Sequence, residues 1–441
     1  MTDKDDVQLS VYLNPAFTPL VTSFAEESAK AFGLDRNDAL KLTLACEEIF
    51  TYMCAIDREN KPLTITAGNG VYFVQVRILC GVARFDPGAF NLTTHISAKD
   101  EAELEDMGLL IASRSVDRFG IVRSSGDAVE VVLIKEKMYP EAVRGPVEVK
   151  PLEAVNILTP DPETLKLFTR QIVSTYADNL YPPDFRFPGK VVDMVASGEY
   201  NALLAVDDKG SIGGGLMWRR RIAGKKMVEC YGPYLFNQLP GSGIAEKLID
   251  ALIGSISKTD ALCLINEYPT PELPKQYFEQ LGVVDYYTPD GTAIPWPFYY
   301  RFLKEDLGAQ VWAHPALEEF LRDQYKTLFF ARKIVLTGYG GETRPPHSVL
   351  AAQFVRTQQM VFLRPIWDGA DASQNISKHI EILRNEGMRI IFFEIDLGYP
   401  WQVNFAPALL ENGFTPRLIL PYAGKADIVI FQYGEGVQNH A

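Results

Sequence analysis

The sequence predicts an α/β protein of several domains, and three observations carry that expectation. The chain has 441 residues, against roughly 150 for an ordinary domain. Along most of it, stretches with a two-residue apolar period alternate with stretches of helical period. One segment, "MYPEAVRGPVEVKP" (138–151), holds three prolines and a glycine with no period, which reads as a linker. The expected divisions are 1–138, a linker at 139–150, then 151–300 and 301–441.

The first division opens with a strand, "VQLSVYL", and a helix, "PLVTSFAEESAKAFGL". A second helix, "DRNDALKLTLACEEIFTYMCAI", is capped by Asp35 or Asn37 and has Leu40, Leu44 and Ile49 on its apolar face. "PLTITAGNG" and "VYFVQVRILCGVARF" pair as a hairpin around Gly68-Asn69-Gly70. A helix, "EDMGLLIASRSVDRF", and a strand, "AVEVVLIKEK", close the division.

The second division alternates strand and helix through "AVNILTP", "PETLKLFTRQIVSTYADNL", "NALLAVDD" and "SIGGGLMWRRR". The strand "KMVECYGPYLF" then enters a loop, "FNQLPGSG", which opens the helix "IAEKLIDALIGSI". "ALCLINEY" is a buried-looking strand, and a helix ending "QYFEQLGVV" is expected to complete the unit. The third division begins with the helix "PALEEFLRDQYKTLFFARK" and repeats the rhythm of the second. Its strands are "SVLAAQFV", "QMVFLRPIW", "RIIFFEIDLG" and "KADIVIFQYG", with helices "ISKHIEILRNEG" and "NFAPALLENGF". The pattern suggests an internal repeat of the second half of the middle division.

Composition narrows the functions. Hydrophobic residues make up 47% and charged residues 22%, the balance of a soluble globular protein. No apolar run approaches the roughly 20 residues that span a bilayer. The start, "MTDKDDVQLS", has no signal segment, so a cytoplasmic location without membrane attachment is expected. A net charge of −13, from 56 acidic and 43 basic residues, argues against a nucleic-acid partner. The basic run "WRRRIAGKK" suits either a solvated hairpin tip or an anionic ligand. Five scattered cysteines read as reduced core thiols, and five dispersed histidines give no metal site.

The loop from Gln238 to Gly243 carries the most chemistry. A helix N-terminus offers unpaired N–H groups and about half a positive charge. Glycines at 241 and 243 let the backbone approach a ligand closely. A strand running through Gln238, Leu239, Pro240, Gly241, Ser242 and Gly243 into a helix therefore makes a diphosphate cradle. The alternative is a tight turn with an N-cap. Glu246 stands where Gly-x-Gly-x-x-Gly would need its third glycine, and no Gly-Lys-Ser/Thr follows as a Walker loop would require.

The spacing Gln-x-x-Gly-x-Gly between strand and helix resembles the coenzyme A loop of GNAT acyltransferases, over residues of about 155 to 300. The later "YFEQLGV" is similar to that family's "YEKLGF". The resemblance implies a GNAT fold followed by a second, degenerate GNAT-like unit. It implies that backbone N–H groups of Leu239 to Gly243 hold the diphosphate of acetyl-CoA as co-substrate. The strand "MVECYGPYLF" would splay from its neighbour to admit the pantetheine arm, and the acceptor would be an amine on a small molecule or protein. The family's acid tyrosine position holds Phe278, with Tyr277 one residue earlier. Glu229 is a candidate general base and Tyr231 a candidate acid, alongside Tyr277. A solvent-facing strand carboxylate is the alternative for Glu229. In the third division "PIWDGADASQNI" has one glycine where a second loop would stand. Trp367, Asp368, Glu394 and Tyr399 are candidates to line an acceptor pocket.

The N-terminal order of elements resembles the GHKL ATPase fold, an α/β sandwich, in its anti-sigma serine-kinase branch. The matching pieces are "ACEEIFTYM", "RFDPGAF" and "MGLLIASRSVDRF". On that match Glu48 stands at the base position, but Tyr52 replaces the magnesium-binding asparagine and Cys80 the adenine-reading aspartate. Val82 replaces a glycine, Asp86 lies in the "FDP" run, and of the lid's glycines only Gly108 remains, with Asp106 at the other position. A phenol is a poor substitute for a carboxamide on a hard cation, and a thiol is a poor acceptor for an amino group. A degenerate, regulatory kinase-like domain without ATP or magnesium is therefore expected. The whole reads as an acyltransferase fused to that domain. A non-enzymatic signalling protein with a protein partner is the alternative, and an active anti-sigma-type serine kinase a second.

Overall fold

The computed structural model describes residues 6–56, 61–81, 85, 87–93, 101–123, 128–146, 148–220, 226–239, 241–288 and 290–434. It is a mixed α/β structure with several sheets. The chain forms two compact units. The first comprises residues 1–138, 342–353 and 363–386, the second 139–341, 354–362 and 387–441. Residues 301–441 thus contribute to both. Among the described residues no helix is long and apolar enough to cross a membrane, and no cluster of metal-ligating side chains occurs.

The first unit begins with β1 (Asp6–Tyr12), α1 (Thr18–Ala31), α2 (Arg36–Ile56), β2 (Pro62–Asn69) and β3 (Phe73–Gly81). It continues with α3 (Glu101–Ser115), β4 (Arg118–Arg123) and β5 (Ala128–Glu136), giving an antiparallel sheet of order β1-β2-β3-β5-β4. The strands alternate as a one-sided sheet must: Val74, Val76, Ile78 and Cys80 of β3 and Val129, Val131 and Leu133 of β5 are buried. Asp35 caps α2, accepting from the Asp38 N–H at 2.8 Å. The buried stripe of α2 is Ala39, Leu42, Cys46, Ile49, Phe50 and Met53. Leu40 and Leu44, expected on that stripe, are 46% and 39% exposed. A helix this long with apolar residues on more than one side does not reveal from sequence which of them faces the sheet. None of the five cysteines is in a disulfide, and burial pushes the Cys46 thiol up to about 12.

The second unit's main sheet is built from β6 (Asn156–Leu158), β7 (Tyr200–Val206), β8 (Ile212–Arg220), β9 (Met227–Leu235), β10 (Cys263–Tyr268), β11 (Glu279–Tyr287) and β12 (Ala293–Phe302). Helices α4 (Pro162–Thr175) and α5 (Pro188–Ala196) precede β7, and α6 (Ile244–Ile256) joins β9 to β10. The order is β11-β12-β10-β9-β8-β7-β6; β9 and β10 run parallel and the other neighbouring pairs are antiparallel. The helix expected to end in "QYFEQLGVV" is absent. Lys275–Tyr277 form a single 3-10 turn that leads straight into β11. Pro269, Pro271 and Pro274 lie just before it, and each disfavours helical geometry at its predecessor.

A parallel pair, β13 (Ala309–Ala313) and β14 (Arg332–Leu336), flanks α7 (Pro315–Thr327). The remaining strands are β15 (Val349–Val355), β16 (Met360–Trp367), β17 (Ile390–Asp396), β18 (Phe414–Leu420) and β19 (Ile428–Tyr433). Helix α8 (Ala372–Asn385) joins β16 to β17, and α9 (Pro400–Val403) and α10 (Ala406–Glu411) precede β18. Their order, β15-β16-β17-β19-β18, repeats the β8-β9-β10-β12-β11 order of the main sheet. In both, a helix stands between the second and third strands. At β11, Gly282 sits where an added Cβ would come 2.7 Å from the Leu418 Cβ of β18, and Gln432 exchanges two hydrogen bonds with the Asp285 backbone (2.9 and 2.7 Å).

Helix α8 buries His379 completely, with its Nδ1 2.8 Å from the Asn375 carbonyl. The Nδ1–H therefore donates, and Nε2 has no hydrogen-bond partner among the described residues. Burial pushes this imidazole down from 6.5 to about 4. Between those values the unfolded chain binds a proton that the folded chain does not. Stability is then full above about pH 6.5 and falls, by up to about 3 kcal/mol, as pH drops toward 4. Urea midpoints at about pH 7 and pH 4.5 measure this loss, and His379→Leu should reduce it. An identical pH dependence in the variant would refute the assignment.

Candidate functional site

Just beyond β9 the Phe236 N–H donates to the Gly213 carbonyl of β8 at 2.9 Å. Asn237 turns with φ 49° and donates to the Val149 carbonyl at 2.7 Å. Gln238 is held twice: its Nε2 donates to the Phe236 carbonyl (2.7 Å) and its Oε1 accepts from the Leu152 N–H (3.0 Å). The segment expected to be a linker thus braces the base of the loop. Leu239 is exposed, and its carbonyl accepts from the Ser242 N–H at 3.1 Å. Pro240 lies outside the described residues.

Gly241 and Gly243 have φ of +74° and +70°, and a Cβ added at either would meet nothing within 4 Å. The conformation demands glycine and the space in front of it is open. Gly243 is the N-cap of α6 and supplies no side-chain cap. Among the described residues the N–H groups of Gly243, Ile244, Ala245 and Glu246 have no hydrogen-bond partner, the first bond of the turn running from Lys247 N–H to the Gly243 carbonyl at 3.1 Å. Four orphan donors with the positive end of a 13-residue helix behind them are the groups that an anion needs.

The equivalent turn before α8 is closed. A Cβ on Gly369 would lie 2.0 Å from the Ser348 nitrogen. Asp371, the N-cap, accepts from the Ser348 N–H at 2.6 Å, and Arg344 holds Asp368 at 2.8 Å as well as the Gly369 carbonyl. Residues 344–348 therefore cover the ground that is open before α6.

Strands β9 and β10 pair from Met227–Cys263 to Glu229–Ile265, then slip, with Tyr231 opposite Tyr268. Past the slip, side chains replace the ladder. Asn266 Nδ2 donates to the Gly232 carbonyl at 2.7 Å and Thr270 Oγ1 to the Pro233 carbonyl at 2.6 Å. The Leu235 N–H donates to the Tyr176 hydroxyl at 2.8 Å, and that hydroxyl lies 3.1 Å from the Leu235 carbonyl. Sequence reasoning passed over Tyr176, Asn266 and Thr270, because only the fold brings them to this edge.

Glu229 is completely buried, unlike the solvent-facing carboxylate that was its alternative reading. Its Oε2 accepts from Arg219 Nε at 2.5 Å and from the Tyr231 hydroxyl at 2.6 Å. Arg219 stands directly opposite on β8, with its guanidinium 5.7 and 5.9 Å from the centres of the Tyr200 and Tyr231 rings. Burial raises the Tyr231 phenol well above its ordinary value. Val228 and Cys230 pack with α6 and Phe278, so Glu229 and Tyr231, which alternate with them, occupy the opposite face of the sheet. Tyr277 packs on the α6 side, its hydroxyl 3.4 Å from Asp250 and its ring under Arg301. The sheet therefore separates Tyr277 from the Glu229–Tyr231 pair.

In the first unit, a Cβ on Gly108 would come 2.4 Å from Glu48 Oε2, so a larger residue there would push the Glu48 carboxylate aside. Burial and the neighbouring Glu47 raise the Glu48 carboxyl. Tyr52 and Cys80 are buried in the apolar core. The Tyr52 ring meets Phe85 edge-on at 5.9 Å, and Phe85 meets Phe90 at 6.4 Å and Trp367 at 6.3 Å. Asp86, Val82 and the side chain of Asp106 lie outside the described residues. Asp368 is the Arg344 partner already described, Glu394 is buried in β17, and Tyr399 is part-exposed under the Lys425 ammonium at 4.6 Å.

No protein-family model and no curated protein matches this chain. Solved structures do, over about a third of it. A GNAT-family acetyltransferase from Staphylococcus aureus Mu50 is 18% identical over 34% of this chain and 100% of its own, with a TM-score of 0.27. A GNAT-superfamily phosphinothricin acetyltransferase from Sinorhizobium meliloti, in complex with AcCoA, is 19% identical over 34% and 89% (TM-score 0.29). A GNAT-family N-acetyltransferase from Escherichia coli, in complex with CoA, is 18% identical over 36% and 87% (TM-score 0.27).

Proposed function

We propose that the second unit is an acyl-CoA-dependent N-acyltransferase whose coenzyme diphosphate sits on the N-terminus of α6. The observation that carries this is the open cradle: two left-handed glycines with open space before them, and four N–H groups unpaired among the described residues. Gln238 to Gly243 would hold the diphosphate. The amine would attack the thioester carbon and lose a proton as the N–C bond forms, while the C–S bond breaks and the coenzyme leaves as a thiolate that takes up a proton. Glu229 and Tyr231, hydrogen-bonded to each other on β9, are the acid–base pair on that strand, and Tyr277 is a separate phenol across the sheet. The first unit is proposed as a non-catalytic module, because Tyr52 and Cys80 belong to its apolar core. A second reading, a non-enzymatic partner-binding protein, draws support from the ion pair that holds Glu229.

Calorimetric titration tests the proposal. Acetyl-CoA should bind at about micromolar strength, and Gly241→Glu should weaken it at least tenfold. The variant adds both a negative charge facing the diphosphate and a side chain at positive φ. No heat from the wild type, or equal affinity in the variant, would overturn it.

A further inference from the structure

Leu235 is the last residue of β9, and its polar backbone groups point away from β8. This follows from its neighbour, since the Phe236 N–H is spent on Gly213 of the β8 side and successive residues of a strand face opposite edges. The edge of β9 beside the cradle would thus present one N–H and one C=O to any extended ligand lying between β9 and β10. Tyr176 takes both.

Tyr176 reaches this edge from the C-cap of α4, with its ring edge-on to Tyr234 at 5.1 Å and to Phe236 at 6.5 Å. A phenol carries only one proton, so the contact to Leu235 uses its single donor and one of its acceptor positions. The Glu272 carboxylate lies beside the same hydroxyl and, after burial, is the main influence raising its pKa. Oε2 of Glu272 is buried and has no hydrogen-bond partner among the described residues. One hydroxyl therefore stands between two acceptors, the Leu235 carbonyl and the Glu272 carboxylate, and its single proton serves one of them at a time.

We propose that Tyr176 is a built-in latch on the coenzyme channel. Its hydroxyl occupies the backbone position that an amide of the bound acyl-CoA arm would take, and coenzyme binding transfers Leu235 to that amide while the hydroxyl turns to Glu272. The proposal rests on the reading of the α6 cradle as the diphosphate site. No covalent step is involved: the ligand amide donates to the Leu235 carbonyl and accepts from its N–H, and the Tyr176 proton finds Glu272.

Two probes separate the latch from the cradle. ADP carries a diphosphate and no amide arm, whereas acetyl-CoA carries both, and for each the binding that counts is the part removed by Gly241→Glu. Tyr176→Phe deletes the competing hydroxyl. It should tighten acetyl-CoA about tenfold, as the ligand then satisfies an N–H that nothing else does, and leave ADP unchanged. Glu272→Leu keeps the hydroxyl on Leu235 but removes its second acceptor, so acetyl-CoA should weaken several-fold with ADP again unchanged. If both variants bind acetyl-CoA like the wild type while ADP binds all three, the latch is overturned and the cradle stands. If neither ligand binds in a way that Gly241→Glu removes, the cradle reading falls and the latch with it. Melting curves of each variant confirm that the comparison is between folded proteins.

Discussion

Replacing Asp427 by alanine should cost about 3–5 kcal/mol of stability, the range for removing one partner of a buried ion pair. The Arg332 and Asp427 side chains are both wholly buried, with Nε to Oδ2 at 2.7 Å, and Asp306 takes a second guanidinium nitrogen at 2.6 Å. Asp427 also accepts from the Tyr325 hydroxyl (3.1 Å) and the Tyr422 N–H (2.9 Å), while the Tyr422 ring lies 4.6 Å from the guanidinium carbon. Burial alone would lower the Arg332 pKa, and the two carboxylates outweigh it. Without Asp427 the guanidinium keeps a single carboxylate in a buried site, and four donors lose their acceptor together: two guanidinium nitrogens, the Tyr325 hydroxyl and the Tyr422 N–H. Urea denaturation checks this. Asp427→Asn keeps two acceptor lone pairs and should cost less than alanine, so equal losses for the two would contradict the account.

The second large effect is at Glu229. Glu229→Ala leaves Arg219 facing Tyr200 and Tyr231 without its carboxylate, and a loss of about 3 kcal/mol is expected. The value lies at the low end because the Arg219 side chain retains 30% exposure and can partly rehydrate. Glu229→Gln distinguishes the two roles open to this residue. If the carboxylate only anchors Arg219, stability falls and the pH profile of acyl transfer keeps its acid limb. If it acts as the base, that limb disappears with the charge. Tyr231→Phe removes the 2.6 Å hydrogen bond and should lower stability less than Glu229→Ala.

Much of this fold was legible in the sequence where one local rule dominates. Helix α6 spans "IAEKLIDALIGSI" as its period and glycine entry indicated, and the β2–β3 hairpin turns at Gly70. The failures have particular causes. β12, where no element is expected from the sequence, carries Pro295 and Pro297, and its pairing to β10 runs from Tyr299 to Phe302. The two prolines therefore sit where β12 has β11 on one side only, and their missing N–H groups cost no ladder bond on the other. β11 was taken for helix because "YFEQLGV" has a helical composition, and the prolines before it decided otherwise. The solvent-facing alternative for Glu229 fails because alternation is no guide in a strand buried on both faces, and β9 is buried from Met227 to Tyr234. A signal was present even so: Arg219 and Glu229 stand opposite each other in the hairpin register, and an acid in such a strand needs a cation across from it. The residues that close the β9 edge were invisible, since Tyr176 and Leu235 are 59 positions apart.

Amide hydrogen exchange reads the four backbone N–H groups at the start of α6 directly. Exchange would be followed in the full chain with and without acetyl-CoA, resolved to single residues. Protection on binding should be concentrated at Gly243, Ile244, Ala245 and Glu246, the groups without a hydrogen-bond partner among the described residues. Acetyl-CoA that binds and leaves those four amides exchanging as before would contradict it, and would make the two glycines before α6 a turn and nothing more.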